Sequence, residues 1–306
     1  MNLNFIPITP EAHSIISAAV QQAHLSNCNY SLSNLCSWSE LFHTHVAYTD
    51  QGVVVRYNGF LGLAYALIVP ADSPTLTCII DSLRHDAATM GQPLHLVGIE
   101  TALFQKLQSL YSSDIIFEER RSQNDYIYLR SDLALLQGKN YHGKRNHTNK
   151  FRTLFPHYRY EELAPRHFAQ GMDLASRGAL AAAKNDDVEQ QSMHHERVSM
   201  QYVFDHWHLL HNIGGCLMVD DRMVAFTYGG AITPSLFDTC VEKADLDYPG
   251  AYAVINQELA IHLPPQFTHI NREEDMGLEG LRKAKLSYHP AVLLPYYAAT
   301  FAGAPI

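Results

Sequence analysis

Two kinds of periodicity alternate along this chain, and the alternation occurs twice. Short apolar runs at His45 to Tyr48, Val53 to Tyr57 and Phe60 to Val69 are separated by turn residues at Thr49 to Gly52 and at Asn58-Gly59, which predicts a three-strand meander. After Pro70 the period changes to 3.6. Leu76, Ile79, Ile80, Leu83 and Ala87 share one face of a helix that Ser73 is placed to cap and Gly91 to stop. A strand at Leu94 to Ile99 follows, then a helix at Thr101 to Tyr111 with Leu103, Phe104, Leu107 and Leu110 inward, and extended pieces around Ile115 to Phe117 and Tyr126 to Leu129.

The second half repeats the order. Gly215 to Val219, a turn at Asp220-Asp221, Met223 to Ile232, a turn at Thr233 to Ser235 and Leu236 to Ala244 read as another meander. Tyr248-Pro249-Gly250 opens a helix from Ala251 to His262, Phe267 to Asn271 reads as a strand, a helix covers Leu278 to Tyr288, and Ala291 to Phe301 supplies final strands. Two long helices, Pro165 to Ala183 and Val188 to Leu210, precede this meander. The pattern predicts an α/β (α+β) protein with two mixed sheets flanked by helices: an N-terminal domain over 1–132, a basic connecting helix over 133–160, and a C-terminal domain over 161–306 carrying the active site. The element order resembles the acyl-CoA N-acyltransferase (GNAT) fold, present in tandem.

Bulk properties narrow the class. With 306 residues and 47% hydrophobic composition the chain can bury substantial cores. Five scattered cysteines without CxxC spacing support neither a disulfide framework nor a structural zinc site. Met1 to Pro10 has no cationic and apolar leader pattern, and the longest apolar stretches, Phe60 to Ala71 and Ala291 to Ile306, are too short or too interrupted to span a bilayer. A cytoplasmic protein is the expectation. The net charge of −9 argues against coating nucleic acid by charge alone.

Within that acidic chain, Gly138 to Phe151 concentrates Lys139, Lys144, Arg145 and Lys150 with His142, His147, Asn149 and the aromatics Tyr141 and Phe151. Asp132 and Glu161 are the nearest acids in sequence, so either a distant acidic segment or an anionic ligand must neutralise the run. A candidate segment is Asn271 to Pro290, where Glu273, Glu274 and Asp275 precede Gly277, Gly280 and the cations Arg282, Lys283 and Lys285. A solvated helix with its own ion pairs is the plain alternative.

These two runs, the first following Asn124-Asp125-Tyr126-Ile127-Tyr128, resemble a bacterial family related to the C-terminal domain of phosphatidylglycerol lysyltransferase. The resemblance covers most of the chain. It implies a tandem GNAT fold, shared with the Fem-type enzymes that add amino acids to peptidoglycan precursors from aminoacyl-tRNA, and an acyltransferase or aminoacyltransferase.

On that fold, the sheet splays after its central strand, placed at Leu236 to Ala244, and the following helix points its amino end at the donor. The acetyl-CoA loop is matched poorly: Asp247 to Tyr252 offers Gly250, with Ala251 beside it, as the cofactor-binding candidates. An aspartate and a tyrosine stand where the pattern expects a cation or amide and a small residue. Aminoacyl-tRNA is the better donor, since a flexible acceptor end is held by cations on phosphates and aromatics on bases. Lys139, His142, Lys144, Arg145, Asn149, Lys150, Asn271, Arg272, Asp275, Arg282 and Lys285 are the substrate-binding candidates for a small anionic or aminoacylated substrate. The catalytic candidates are Glu242, as base or amine anchor, with Glu274 as an alternative, and Tyr288, able to protonate a leaving group. Ion pairing of Glu242 with Lys243 or Arg272, and simple packing of Tyr288, are the plain readings. Among the 18 histidines, His194, His195, His206, His208 and His211 lack HExxH spacing, and neither Asp220-Asp221 nor Asn185-Asp186-Asp187 forms a calcium loop, so no metal is expected. The competing reading is a noncatalytic module that senses a nucleotide, phospholipid head group or peptide in the same cleft.

Overall fold

The computed structural model describes residues 3–59, 62–111, 114–182 and 187–301. Phe60, Ala183, the Asn185-Asp186 pair and the end of the last apolar stretch lie outside the described residues. Two contact-defined units divide the chain: Met1–Asp125 with Glu273–Glu279 and Leu293–Ile306, and Tyr126–Arg272 with Gly280–Val292.

The first unit is built on a mixed sheet in the order Ile6–Pro7, His45–Thr49, Gly52–Gly59, Gly62–Ile68, His95–Ile99, Tyr297–Phe301, Ile115–Glu119. The meander is as the alternation predicts, except at its tip. Asn58 and Gly59 remain in the strand, where they pair with Leu63 and Gly62, so the connection falls beyond Asn58-Gly59. Leu76, Ile79, Ile80, Leu83 and Ala87 of the Leu76–Thr89 helix are all buried, and they pack with Tyr65, Leu67, Leu96 and Leu107 into one core. Thr75 occupies the cap position in place of Ser73, and Gly91, at φ +71°, ends the helix in the left-handed region. In the Thr101–Leu110 helix Leu103 and Leu107 are buried, but Leu110 is 42% exposed, because the helix ends there and its last turn runs past the core.

The second sheet runs Val292–Leu294, Asp125–Leu129, His269–Asn271, Leu236–Ala244, Arg222–Thr233, Ile213–Val219, Arg159–Glu162. Asp220 and Asp221 both adopt positive φ in the hairpin turn, as a two-residue primed turn requires. The helix Ala251–His262 packs on this sheet through Val254, Ile255, Leu259 and Ala260. The Pro165–Ala182 and Asp187–Asp205 helices precede the meander, the second ending earlier than the periodicity suggests. The basic run forms a short 3-10 turn at Lys139–Tyr141 and the helix His142–Leu154.

The last strand departs from the sequence expectation. Tyr297–Phe301 pairs with His95–Ile99 and Ile115–Glu119 in the first sheet rather than closing the second. Tyr126 and Tyr128 of Asp125–Leu129 are buried in a core with Phe237, Leu259 and Ile270. Alternation fixes which face of a strand is buried but not which sheet receives it.

Candidate functional site

The site in the second unit starts from two features of the central strand. Leu236–Ala244 pairs in parallel with His269–Asn271 only through Leu236, Phe237 and Asp238, so the sheet splays beyond Asp238. On its other edge Tyr228 faces Val241 and Gly229 faces Thr239, leaving Cys240 as a bulged residue. Gly229 is required there: a Cβ would lie 1.7 Å from the carbonyl oxygen of Asp238. Bulge and splay together interrupt the regular ladder of a central strand in the middle of a sheet.

Glu242, just past the bulge, is the hub of a polar cluster. Its Oε1 accepts from Nη2 of Arg272 at 2.9 Å and its Oε2 from Nδ2 of Asn256 at 3.2 Å. The Glu242 and Arg272 side chains are only 13% and 12% exposed. The guanidinium lies 4.9 Å from the ring centre of Tyr288 and 5.7 Å from that of Tyr128. Lys144 brings its Nζ to 3.8 Å from the same Tyr288 ring centre, a cation–π contact. Burial, with repulsion from Arg272 adding and attraction to Glu242 opposing, lowers the Lys144 ammonium to about 8. Burial raises the Tyr288 phenol to about 12, against the pull of Arg272, so it stays protonated at neutral pH. The platform under these groups is fixed by main-chain carbonyls: Lys285 donates from Nζ to the Arg272 carbonyl, Tyr128 to that of Lys285 at 2.8 Å, and Tyr141 to that of Tyr288 at 3.1 Å. Nη1 of Arg272, Oδ1 of Asn256 and Oγ1 of Thr239 are buried without a hydrogen-bond partner among the described residues.

Of the residues singled out in the sequence, this cluster unites Lys144, Glu242, Arg272, Lys285 and Tyr288. Glu242 pairs with Arg272, while its neighbour Lys243 is taken by Glu196 at 2.7 Å. Arg145 is turned away to donate to the carbonyls of Leu136 and Gly138, bracing the turn before its helix. Lys139, His142, Asn149 and Lys150 are exposed on the basic segment. Asn271 is fully buried beside Asp238 in the parallel pair, and Arg282 is half-buried in the Glu279–Leu286 helix.

Gly250 and Ala251 stand at the amino end of Ala251–His262, but the basic helix comes close over them. A Cβ on Gly250 would lie 2.3 Å from the carbonyl oxygen of His147 and 3.1 Å from Cβ of Phe151, and Ala251 is 1% exposed. Close helix approach is therefore a structural use for this glycine. Asn256, Gln257 and Glu258 are not among the sequence candidates, yet all three are buried in that helix. Glu258 holds Arg152 at 3.0 Å and Tyr158 at 2.8 Å. A run of three polar residues inside an otherwise apolar helix is the sequence signal that marks them.

The three consecutive acids belong to the first unit. Glu273 accepts from Asn34 at 2.9 Å, Glu274 lies 3.8 Å from the Cys28 thiol, and the fully buried Asp275 pairs with Arg121 at 3.1 Å. Cys28, Asp125 and Glu274 bring one ligand atom each within 4.8 Å of one another and are the first unit's candidate metal donors. Asp125 already accepts from the Cys28 backbone N–H at 2.7 Å and from its thiol at 3.3 Å.

A meander, a helix and a parallel strand in each unit, with the bulged and splayed strand in the second, define a tandem GNAT-like fold. A family model described as phosphatidylglycerol lysyltransferase, C-terminal, matches residues 20–300, and the chain belongs to that family. A conserved protein of unknown function from Bacteroides thetaiotaomicron is 37% identical with a TM-score of 0.91, over 98% of this chain and 99% of that one. L-PGS from Bacillus licheniformis shares the fold at 13% identity and a TM-score of 0.64, over 94% of this chain and 90% of that one. FemX does so at 10% and 0.62, over 99% and 98%. An uncharacterised protein of Mycoplasmoides gallisepticum is 26% identical over 211 residues, which are 66% of this chain and 62% of that protein. The match thus spans less than two thirds of that relative's length. No helix among the described residues is long and apolar enough to cross a membrane.

Proposed function

We propose that the protein is a transferase that moves an aminoacyl group from aminoacyl-tRNA, or an acyl group, to an amine or hydroxyl acceptor. The observation that carries this reading is the Glu242–Arg272 pair beside a central strand whose ladder is broken by splay and bulge. The family's own name describes lysyl transfer to phosphatidylglycerol, and this chain takes from it the reaction class alone.

In the proposed reaction the donor's ester carbonyl lies against the strand at Thr239 to Val241. Backbone N–H groups at the bulge stabilise the oxyanion that forms as the acceptor attacks. Glu242 anchors the attacking amine or takes its proton, held in place by Arg272 and Asn256. Tyr288, protonated at neutral pH, returns a proton to the leaving oxygen. An aminoacyl ester suits the site better than acyl-CoA, because the helix end that would receive a diphosphate is crowded by His147 and Phe151. The exposed Lys139 and Lys150, with His142 and Asn149, are the proposed contacts for an acceptor end.

One observation favours the noncatalytic alternative: both oxygens of Glu242 already accept hydrogen bonds, as they would in a rigid sensor. Calorimetric titration with acetyl-CoA and, in parallel, with charged tRNA at one ionic strength tests the donor. Binding of charged tRNA without CoA is the expected result. Saturable CoA binding reverses the choice of donor, and silence toward both favours the sensor.

A further inference from the structure

Lys144 and Arg272 are cations on a single aromatic ring, at 3.8 and 4.9 Å from its centre. Arg272 repels the Lys144 ammonium and Glu242 attracts it. Glu242 is the sole carboxylate of the three and is committed through Oε1 to Nη2 of Arg272. Around the Tyr288 ring two positive charges thus face one carboxylate, and Nη1 of the same guanidinium is buried without a partner among the described residues. Holding an uncompensated cation out of water costs stability. Lys144 itself is only half-buried, so a ligand can reach this residue from solvent.

We propose that Lys144 and Arg272 form a subsite for one oxyanionic group of the substrate, a carboxylate or a phosphate, seated against Tyr288. A cationic aminoacyl side chain is excluded from it. The group placed here, on the transferred residue or on the acceptor, is therefore acidic. An incoming oxyanion restores charge balance and gains charge-assisted hydrogen bonds from the ammonium. A lysyl ammonium would add a further cation beside Lys144 and Arg272.

This assignment rests on the transfer reading for the identity of the substrate, but its test needs no turnover. The pH dependence of Lys144 acylation by acetic anhydride, followed by peptide mass spectrometry, is measured in the whole protein. Inorganic phosphate, L-aspartic acid α-amide and L-lysinamide are the probes. The expected midpoint near pH 8 moves upward on addition of phosphate or of the aspartate amide, since a bound anion favours the charged ammonium. A shift with phosphate alone identifies a phosphate-bearing substrate, and a shift with the aspartate amide alone identifies a side-chain carboxylate. Lys144→Gln weakens binding of the effective anion by about tenfold or more, measured by calorimetry. Protection of Lys144 by lysinamide, or no response to either anion at tens of millimolar together with unchanged affinities in Lys144→Gln, overturns the proposal. If the anion binds but no transfer is found with any charged tRNA, the subsite stands and the transferase reading fails.

Discussion

Glu242 holds Arg272 at 2.9 Å with both side chains nearly withdrawn from water, and the same guanidinium lies over the ring of Tyr288. The pair links the central strand to the residue that follows the neighbouring strand His269–Asn271, at the point where the two strands have already parted. Removing one partner leaves the other charge buried alone. Glu242→Ala is expected to destabilise the second unit by about 3 kcal/mol, read by denaturant titration, whereas Glu242→Gln keeps one acceptor oxygen for Arg272, turns a donor toward Asn256, and loses less. A double-mutant cycle with Arg272→Met should recover part of the loss; additive losses would show that the pair is not coupled.

Lys144 gives a pH signature. Its folded-state value near 8 lies below the usual 10.5, so between those values the unfolded chain binds more protons at this site. The penalty is fully present below about pH 8 and is relieved as pH rises toward 10.5, so this residue contributes a rise in stability across that window. Lys144→Met is expected to raise the melting temperature at pH 7 and to remove that contribution. Identical pH profiles for the two proteins would contradict the burial of the ammonium. A stability gain on removing a binding residue is the usual mark of a site kept for function.

Gly250 separates a structural glycine from a ligand loop. Its φ is +95°, and the His147 carbonyl oxygen lies 2.3 Å from the place a Cβ would take, so Gly250→Ala should cost about 2 kcal/mol or more. Thermal unfolding checks the value. Unchanged stability with lost donor binding would instead assign Gly250 to the donor.

Asp275 anchors the first unit, accepting from Arg121 at 3.1 Å and from the Gly277 N–H at 2.9 Å while fully buried. Asp275→Asn is expected to cost about 2 kcal/mol and to speed amide exchange in Glu273–Glu279. A variant that loses transfer with stability unchanged would place Asp275 at the substrate.

The elements around the site are legible in the sequence because their signals are local. Leu236–Ala244 and Ala251–His262 are bounded by turn residues at Thr233 to Ser235 and Tyr248 to Gly250, and the observed limits match the reading. The first-half helix is legible from five apolar positions at a 3.6 period. What stays hidden depends on partners distant in sequence. The placement of Tyr297–Phe301 between two strands of the first sheet is set by packing with Phe104, Phe117 and Tyr111, which no periodicity encodes. The bulge at Cys240 needs Gly229 opposite, and Asn256 gains meaning only once Glu242 faces it. The basic run points toward the cluster, yet charge alone does not separate Lys144, which lies over Tyr288, from Arg145, which braces backbone carbonyls.

The central claim is aminoacyl transfer at Glu242. The most direct test is a single-turnover reaction of the purified protein with a pool of tRNA charged with labelled amino acids, with and without amine and hydroxyl acceptors, comparing wild type with Glu242→Gln. The account predicts acceptor-dependent loss of ester-linked label in the wild type, and at least about a hundredfold slower loss in Glu242→Gln with tRNA affinity retained. Acceptor-dependent transfer at the same rate in both proteins, or none in either despite tight binding, would contradict it.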